Sequence, residues 1–248
     1  MSKGRHDGSR PPRRPGPLRS YLAGRIDGLS SAILVFPLFV TYQLGILTGR
    51  GQNGVDFLTR RLIALAEYDM TSYLATLAGM LLAYAAILVL LRHAGAFDPR
   101  IFLPMLAESA FYAVSMGSVI LFVLARMAPF LPGLALSGFA GPIEVLVVSA
   151  GAGFHEELVF RVALLRSLAF LIAGLTGRRR ALALAVALSS VLFSLAHHVG
   201  PAGEPFLFSA FVYRTFAGLF FAMVYLVRGF AVAAWTHALY DLYVISLS

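Results

Sequence analysis

Long apolar runs are the feature that most restricts the fold of this chain. A helix rises about 1.5 Å per residue, so about 20 apolar residues cross the hydrocarbon core of a bilayer. Hydrophobic residues make up 59% of the chain and charged residues only 13%. The sequence therefore predicts an all-α, polytopic membrane protein with about seven transmembrane helices. The predicted spans are 29–48, 71–91, 101–128, 142–172, 181–198, 206–227 and 229–246.

Two segments between these spans are predicted to lie at the membrane surface or to enter it partway. Residues 56–67 carry apolar side chains at helical spacing beside Arg60 and Arg61, which predicts one interfacial amphipathic helix. Residues 129–142 are uncharged and rich in Pro and Gly, which is typical of a re-entrant or surface segment.

The distribution of basic residues predicts the orientation. Residues 1–27 are rich in Arg, Pro, Gly and Ser, which predicts a basic, disordered cytoplasmic arm rather than a nucleic-acid-binding surface. Residues 28–248 are then a single transmembrane domain. If the spans alternate, further arginines fall on the same side as the arm, in agreement with the positive-inside rule. They are Arg92, Arg100, Arg178, Arg179, Arg180 and Arg228.

Ionisable residues interrupt the fourth span in the stretch GFHEELVFR, which contains His155, Glu156, Glu157 and Arg161. Such residues are rare at membrane depth and usually have a functional reason. A Glu four positions before an Arg favours pairing on one helix face, so Glu157 and Arg161 are predicted to pair. In an α-helix Glu156 is rotated from Glu157 by about 100°. It is expected either to stay protonated or to interact with a histidine from another span, which is the environment of a general base.

Two further motifs repeat the spacing of one helical turn. In FSLAH the ring of Phe193 can cover one side of the His197 imidazole, and in HALYD the carboxylate of Asp241 can accept from a His237 ring N–H and set its tautomer. Glu156 and the two histidines come from three helices and could hold a water molecule and a substrate carbonyl together. This combination predicts hydrolysis by an activated water inside the membrane.

The three motifs resemble, in order, those of the CPBP family, the CAAX-protease and bacteriocin-processing intramembrane endopeptidases. EELVFR is similar to the EExxxR motif of the family and FSLAH to its FxxxH motif. HALYD is similar to its third motif, a His followed four positions later by Asn or Asp. The resemblance implies a protease core at about 142–246, whereas the first 100 residues carry none of the motifs.

The resemblance also implies catalytic roles. Glu156 and His197 would activate the hydrolytic water, with Glu156 as the general base. His237 and Asp241 would stabilise the oxyanion of the tetrahedral intermediate. Because an ionised Asp241 would repel an oxyanion, it is expected either to be protonated or, preferably, to act by keeping His237 protonated.

The other polar residues of the spans receive structural or substrate-binding interpretations. Glu157 and Arg161 are expected to hold the architecture of the site or to contact substrate. Glu108 and Arg214 are expected to form a cross-helix pair, with binding of a substrate carboxylate as the alternative.

Two further histidines and two glycines lie close to the motifs in the sequence. His155 and His198 are interpreted as polar groups at helix ends or as neighbours of the site. Gly151 and Gly153 are expected to permit close helix approach.

No cofactor is predicted, and zinc is the alternative. HEELV lacks the second histidine of the zincin motif HExxH. Glu156, His197 and His237 could nevertheless form a zinc site with one carboxylate and two histidines. The neighbouring guanidinium of Arg161 would oppose a divalent cation, which favours a metal-free glutamate mechanism.

The leading prediction is an intramembrane endopeptidase whose partners are the lipid bilayer and a membrane protein or a lipidated or hydrophobic peptide, without nucleic acid. The alternatives are a non-catalytic scaffold or chaperone of the same fold, and a proton-coupled transporter, against which the lack of an internal repeat counts. The arginine-rich, lysine-poor composition is typical of a high-GC bacterium and predicts the inner membrane. His197 and His198 fall at the outer end of the fifth span, which predicts a site open to the outer leaflet or periplasm.

Overall fold

The structure is a computed structural model, and it describes residues 17–24, 26–47, 69–93, 95–127, 141–200 and 203–246. The interfacial helix predicted at 56–67 and nearly all of the segment 129–142 lie outside the described residues. The described part of the chain is helical and contains no strand. The predicted all-α class is therefore confirmed.

Eight helices are described, and six of them are long and apolar enough to cross a membrane. These six are the helices α2 to α7, so a polytopic membrane protein is confirmed. The bounds are α1 Pro17–Leu22, α2 Gly28–Leu47, α3 Met70–Leu91, α4 Phe102–Met127, α5 Pro142–Thr176, α6 Arg178–Ala196, α7 Phe208–Arg228 and α8 Phe230–Ser246.

The seventh predicted span is the shorter helix α8. Its 17 residues correspond to about 25 Å, somewhat less than the hydrocarbon thickness of about 30 Å. Helix α8 packs against α2, α4, α5 and α7, and Ala231 to Ala234 are completely buried. Helix α8 therefore lies in the core of the bundle, where its neighbours cover it.

Hydrogen bonds and one glycine fix the position of α8. The Trp235 indole N–H donates to the carbonyl of Leu34 in α2 at 2.8 Å. A Cβ atom at Gly153 of α5 would lie only 2.5 Å from the carbonyl oxygen of Ala234, so this position excludes any larger residue. The predicted close approach at Gly153 is confirmed, and it brings α8 against the EExxxR segment of α5.

Two single-residue turns connect neighbouring helices. Gly177 joins α5 to α6 with φ of 80°, and Gly229 joins α7 to α8 with φ of 96°. Residues other than glycine rarely adopt this left-handed region. These turns place α6 beside the second half of α5, and α8 beside α7.

A buried polar cluster ties α1 to the bundle. The Nη2 atom of Arg228 donates to Glu108 Oε2 at 2.8 Å, and the Tyr21 hydroxyl also donates to Glu108. The guanidinium lies 4.9 Å from the centre of the Tyr21 ring. Burial, reinforced by the Glu108 charge, raises the pKa of Tyr21 to about 12, so its hydroxyl remains a donor.

Two expectations differ from this arrangement. The predicted pair of Glu108 with Arg214 is wrong, because Glu108 binds Arg228 from the other end of α7. The predicted disordered arm covered residues 1–27, yet Pro17–Leu22 forms helix α1, with Tyr21 buried. Residues 1–16 lie outside the described residues.

Candidate active site

The EExxxR segment lies on an unusual part of α5. Over Ala152–Glu156 and Leu158–Leu165 the helix has π-type turns, in which hydrogen bonds span five residues instead of four. Wider turns rotate successive residues by less than the α-helical angle. Glu156 and Glu157 therefore point in more similar directions than the predicted separation of about 100° in an α-helix.

Glu157 is fully buried and has two partners. Its Oε2 atom lies 3.2 Å from Arg161 Nε, so the predicted pair is present. Its Oε1 atom accepts from His237 Nδ1 at 3.0 Å, across the interface of α5 and α8. Arg161 is also fully buried, and its guanidinium carbon lies 4.9 Å from the centre of the Phe193 ring. Glu157 thus connects Arg161 of its own motif with His237 of the third motif.

Glu156 lies beside both histidines of the other motifs. Its Oε2 atom is 3.6 Å from His197 Nε2 and 3.8 Å from His237 Nε2. These separations exceed a direct hydrogen bond, which has its optimum near 2.9 Å, but one water molecule can contact all three atoms. The structure therefore brings Glu156, His197 and His237 together, as the sequence predicted.

The tautomers of both histidines follow from their Nδ1 partners. His197 follows directly after α6, and its Nδ1 lies 2.9 Å from the carbonyl oxygen of Phe193, which can only accept. His237 Nδ1 likewise faces the Glu157 carboxylate. Both Nδ1 atoms therefore carry a proton, and both Nε2 atoms face Glu156.

Asp241 lies beside His237, as its spacing predicts, but it faces Nε2 and not Nδ1. Asp241 Oδ2 lies 3.5 Å from His237 Nε2, on the side of the ring opposite to the Nδ1 bond. Glu157 takes the tautomer-setting position instead. Asp241 is thus placed beside the nitrogen that faces Glu156.

Aromatic rings enclose the two imidazoles. The centre of the Phe193 ring lies 5.0 Å from that of His197 and 5.8 Å from that of His237, so its predicted position as a wall is present. Phe221 of α7 stacks on the other side of His237, with centres 4.2 Å apart and an interplanar angle of 19°. Sequence reasoning missed Phe221, because α7 carries none of the motifs and the chain contains 20 Phe residues.

Exposure identifies the open edge of the site. The Glu156 side chain is 5% exposed and that of His237 4%, whereas His197 is 23% and Asp241 24% exposed. Arg214 lies at this edge and pairs with Glu204 at 2.7 Å. His197 and Asp241 therefore lie at the open edge of the site.

The remaining predicted neighbours have structural contacts. His198 Nδ1 lies 3.3 Å from the carbonyl oxygen of Glu204, in the connection between α6 and α7. His155 is buried at the interface of α5 and α2, where its Nδ1 donates to the carbonyl of Gly151 at 3.1 Å. Its ring centre lies 4.7 Å from that of Tyr42. His155 therefore packs α5 against α2.

A metal was the alternative interpretation of Glu156, His197 and His237. Within the described ranges, no group of three His, Asp or Glu side chains is placed to hold a metal ion. The buried guanidinium of Arg161 further adds positive charge beside the two glutamates.

Comparison with protein families supports the motif-based prediction. Residues 138–243 match the family model of the Rce1-like type II CAAX prenyl endopeptidases, and the match includes all three motifs. No curated protein and no solved structure shows significant similarity to the chain. The family implies a CAAX-type intramembrane protease, and with the apolar helices it indicates a multi-pass membrane protein. This match over residues 138–243 agrees with the resemblance of the three motifs to the CPBP family.

Proposed function

We propose that this chain is an intramembrane endopeptidase that hydrolyses a peptide bond of a membrane protein or hydrophobic peptide with a water activated by Glu156. The observation that carries the proposal is the approach of Glu156 Oε2 to the Nε2 atoms of both His197 and His237, from three helices. The Glu156 side chain is nearly excluded from solvent, so a single water held between it and the histidines is the water that it can activate.

The first step is attack on the scissile carbonyl. A water between Glu156 and His197 gives its proton to the Glu156 carboxylate, and its oxygen bonds to the carbonyl carbon. The bond of His197 Nδ1 to the Phe193 carbonyl fixes the direction of Nε2 toward that water. Collapse of the tetrahedral intermediate breaks the C–N bond, and the proton held by Glu156 passes to the leaving amine.

His237 is proposed as the oxyanion donor. Because Nδ1–H is engaged by Glu157, donation toward the oxyanion comes from Nε2–H of the imidazolium form. The carboxylates of Glu157 and Asp241, one on each side of the ring, supply the negative charge that this cation requires. Phe221 stacks on the ring and holds its plane.

Glu157 and Arg161 position this donor without contacting the reacting atoms. Their pairing neutralises two charges at a depth where neither side chain reaches solvent. A buried ion pair with good geometry keeps each partner in one conformation, although it adds little net stability. Glu157 thereby holds the His237 ring in the orientation that the proposed mechanism needs.

The test is a comparison of cleavage products in cells. Cells that contain Glu156→Gln in place of the wild-type protein should accumulate one or more uncut membrane or exported precursors. Mass spectrometry of protein termini in the membrane and secreted fractions measures them. Glu144→Gln, in the first turn of the same helix, is the matched control and should leave the products unchanged. Identical products in Glu156→Gln and wild type would favour the scaffold alternative instead.

The metal-free mechanism makes a separate prediction about chelators. Cleavage by the purified protein in nanodiscs should be unchanged by 1,10-phenanthroline or EDTA, because the proposed base is a carboxylate and the proposed mechanism uses no metal ion. Loss of activity with the chelator and its recovery with added zinc would establish the zinc-dependent version, with Glu156, His197 and His237 as ligands.

The proposed orientation places the chain in a bacterial inner membrane with the N-terminus in the cytoplasm and the open edge of the site toward the periplasm. The natural chain has no cysteine, so His198→Cys provides a single label at that edge. A membrane-impermeant maleimide added to intact spheroplasts should modify it, whereas Arg179→Cys should react only after lysis. Labelling of the His198→Cys variant from the cytoplasmic side alone would reverse the proposed orientation of the site.

A further inference from the structure

An ion pair at the open edge has no part in the mechanism described above. The Nη2 atom of Arg214 donates to both carboxylate oxygens of Glu204, at 2.8 and 2.7 Å. The backbone N–H of Glu204 donates to the carbonyl of His197 at 2.9 Å. The ion pair is therefore attached to the residue whose imidazole faces Glu156.

The guanidinium of Arg214 has donors left for a second anion. Glu204 engages Nη2, whereas Nη1 is buried and has no hydrogen-bond partner within the described residues. A guanidinium carries five N–H donors, and a buried donor without an acceptor is unfavourable. A further carboxylate at this edge would satisfy it.

Glu204 is a weakly held partner that a substrate can displace. Its side chain is 48% exposed, against 20% for Arg214. Surface ion pairs contribute only about 0–1 kcal/mol, so exchanging one carboxylate for another costs little. Arginine binds a carboxylate through two parallel N–H donors better than through a single nitrogen, and the present pair uses a single nitrogen.

We propose that Arg214 recognises a carboxylate of the substrate next to the scissile bond, and that Glu204 occupies Arg214 until a substrate replaces it. This inference rests on the proposed endopeptidase function and names the chemical group that the site selects. A free C-terminus and an Asp or Glu side chain offer the same group. Arg214 and Glu204 set specificity and do not touch the reacting atoms.

The test uses a library of hydrophobic synthetic peptides and the purified protein in nanodiscs. Each peptide is made with a free and with an amidated C-terminus, and each Asp or Glu has a partner peptide with Asn or Gln. Wild type should prefer peptides with a carboxylate near the cleavage site. In Arg214→Gln, kcat/KM for these peptides should fall about 10-fold or more, while that for neutral peptides stays within about twofold.

Glu204→Gln is the informative second variant, because the expected change has the opposite sign. Without its competing carboxylate, Arg214 should bind the substrate carboxylate more tightly, which lowers KM and leaves kcat unchanged. A pair with a purely structural role would instead lose activity in both variants. Sensitivity to amidation assigns the carboxylate to the C-terminus, and sensitivity to Asn or Gln assigns it to a side chain.

Each remaining outcome contradicts one of the two proposals. Glu156-dependent cleavage without a preference for carboxylates, or equal losses in Arg214→Gln and Glu204→Gln, would overturn the role of Arg214 alone. Absence of Glu156-dependent cleavage of every library member would overturn the endopeptidase function, and the specificity inference with it.

Discussion

His197→Ala is expected to lower kcat by about 10³-fold or more, and adding Glu156→Gln to that variant is expected to cost little further. The two side chains contact one water in the proposed mechanism, so neither side chain can activate that water when the other is removed. Groups that act as a unit give strongly non-additive losses. The 3.6 Å separation of Glu156 Oε2 from His197 Nε2 is the structural basis for treating them as one unit.

The measurement is single-turnover cleavage of a precursor identified in cells, with wild type, both single variants and the double variant in nanodiscs. His93→Ala removes an exposed histidine at the end of α3 and should retain full activity. Thermal unfolding of each variant shows whether the bundle is intact. A double-variant loss equal to the product of the two single losses would mean that Glu156 and His197 act in independent steps.

Arg161→Met is expected to destabilise the protein by about 3–5 kcal/mol, because it removes the Arg161 cation from the buried Glu157 carboxylate. Both side chains are fully buried, so water cannot replace the lost partner. The double variant Glu157→Gln/Arg161→Met removes both charges and should recover most of the lost stability. It should nevertheless remain inactive, because the neutral amide that replaces the Glu157 carboxylate cannot support the imidazolium form of His237.

Thermal unfolding in detergent, followed by the fluorescence of the single Trp, measures this prediction. Arg179→Met, at an exposed position in the first turn of α6, is the matched control and should change the unfolding temperature little. If Arg161→Met unfolds at the same temperature as wild type, or if the double variant is no more stable than the single variant, the buried Glu157 charge does not carry the expected cost when Arg161 is absent.

The sequence was sufficient for features set by local spacing. Apolar length predicted the helices that cross the membrane, and the spacing of four residues predicted the pair of Glu157 with Arg161. Ionisable residues on three apolar spans also identified Glu156, His197 and His237 as neighbours. The pair and the spans depend on spacing within one helix, which the sequence contains directly. The three site residues are recognisable because burying a charged side chain in a membrane is costly, so such residues are rare there.

Features that depend on the arrangement of helices could not be predicted. Glu157 and His237 are 80 positions apart, and their hydrogen bond requires the contact of α5 with α8 at Gly153. The sequence does not say which acid on one helix pairs with which base on another, because that depends on helix packing. The predicted pair of Glu108 with Arg214 was wrong for this reason. The Phe221 ring stacks on the His237 imidazole, and the sequence of α7 does not indicate this contact.

The π-type turns of α5 mean that the letters EExxxR do not define the site by themselves. In a regular α-helix the same letters would give Glu156, Glu157 and Arg161 different angles relative to one another and to α8. A designer who transplanted the motif into an ideal helical bundle would therefore obtain the right residues on a helix of the wrong pitch. Deleting a single residue between Ala152 and Leu165 should have a similar effect, because the helix could then tighten and turn one end of the segment away from its partners.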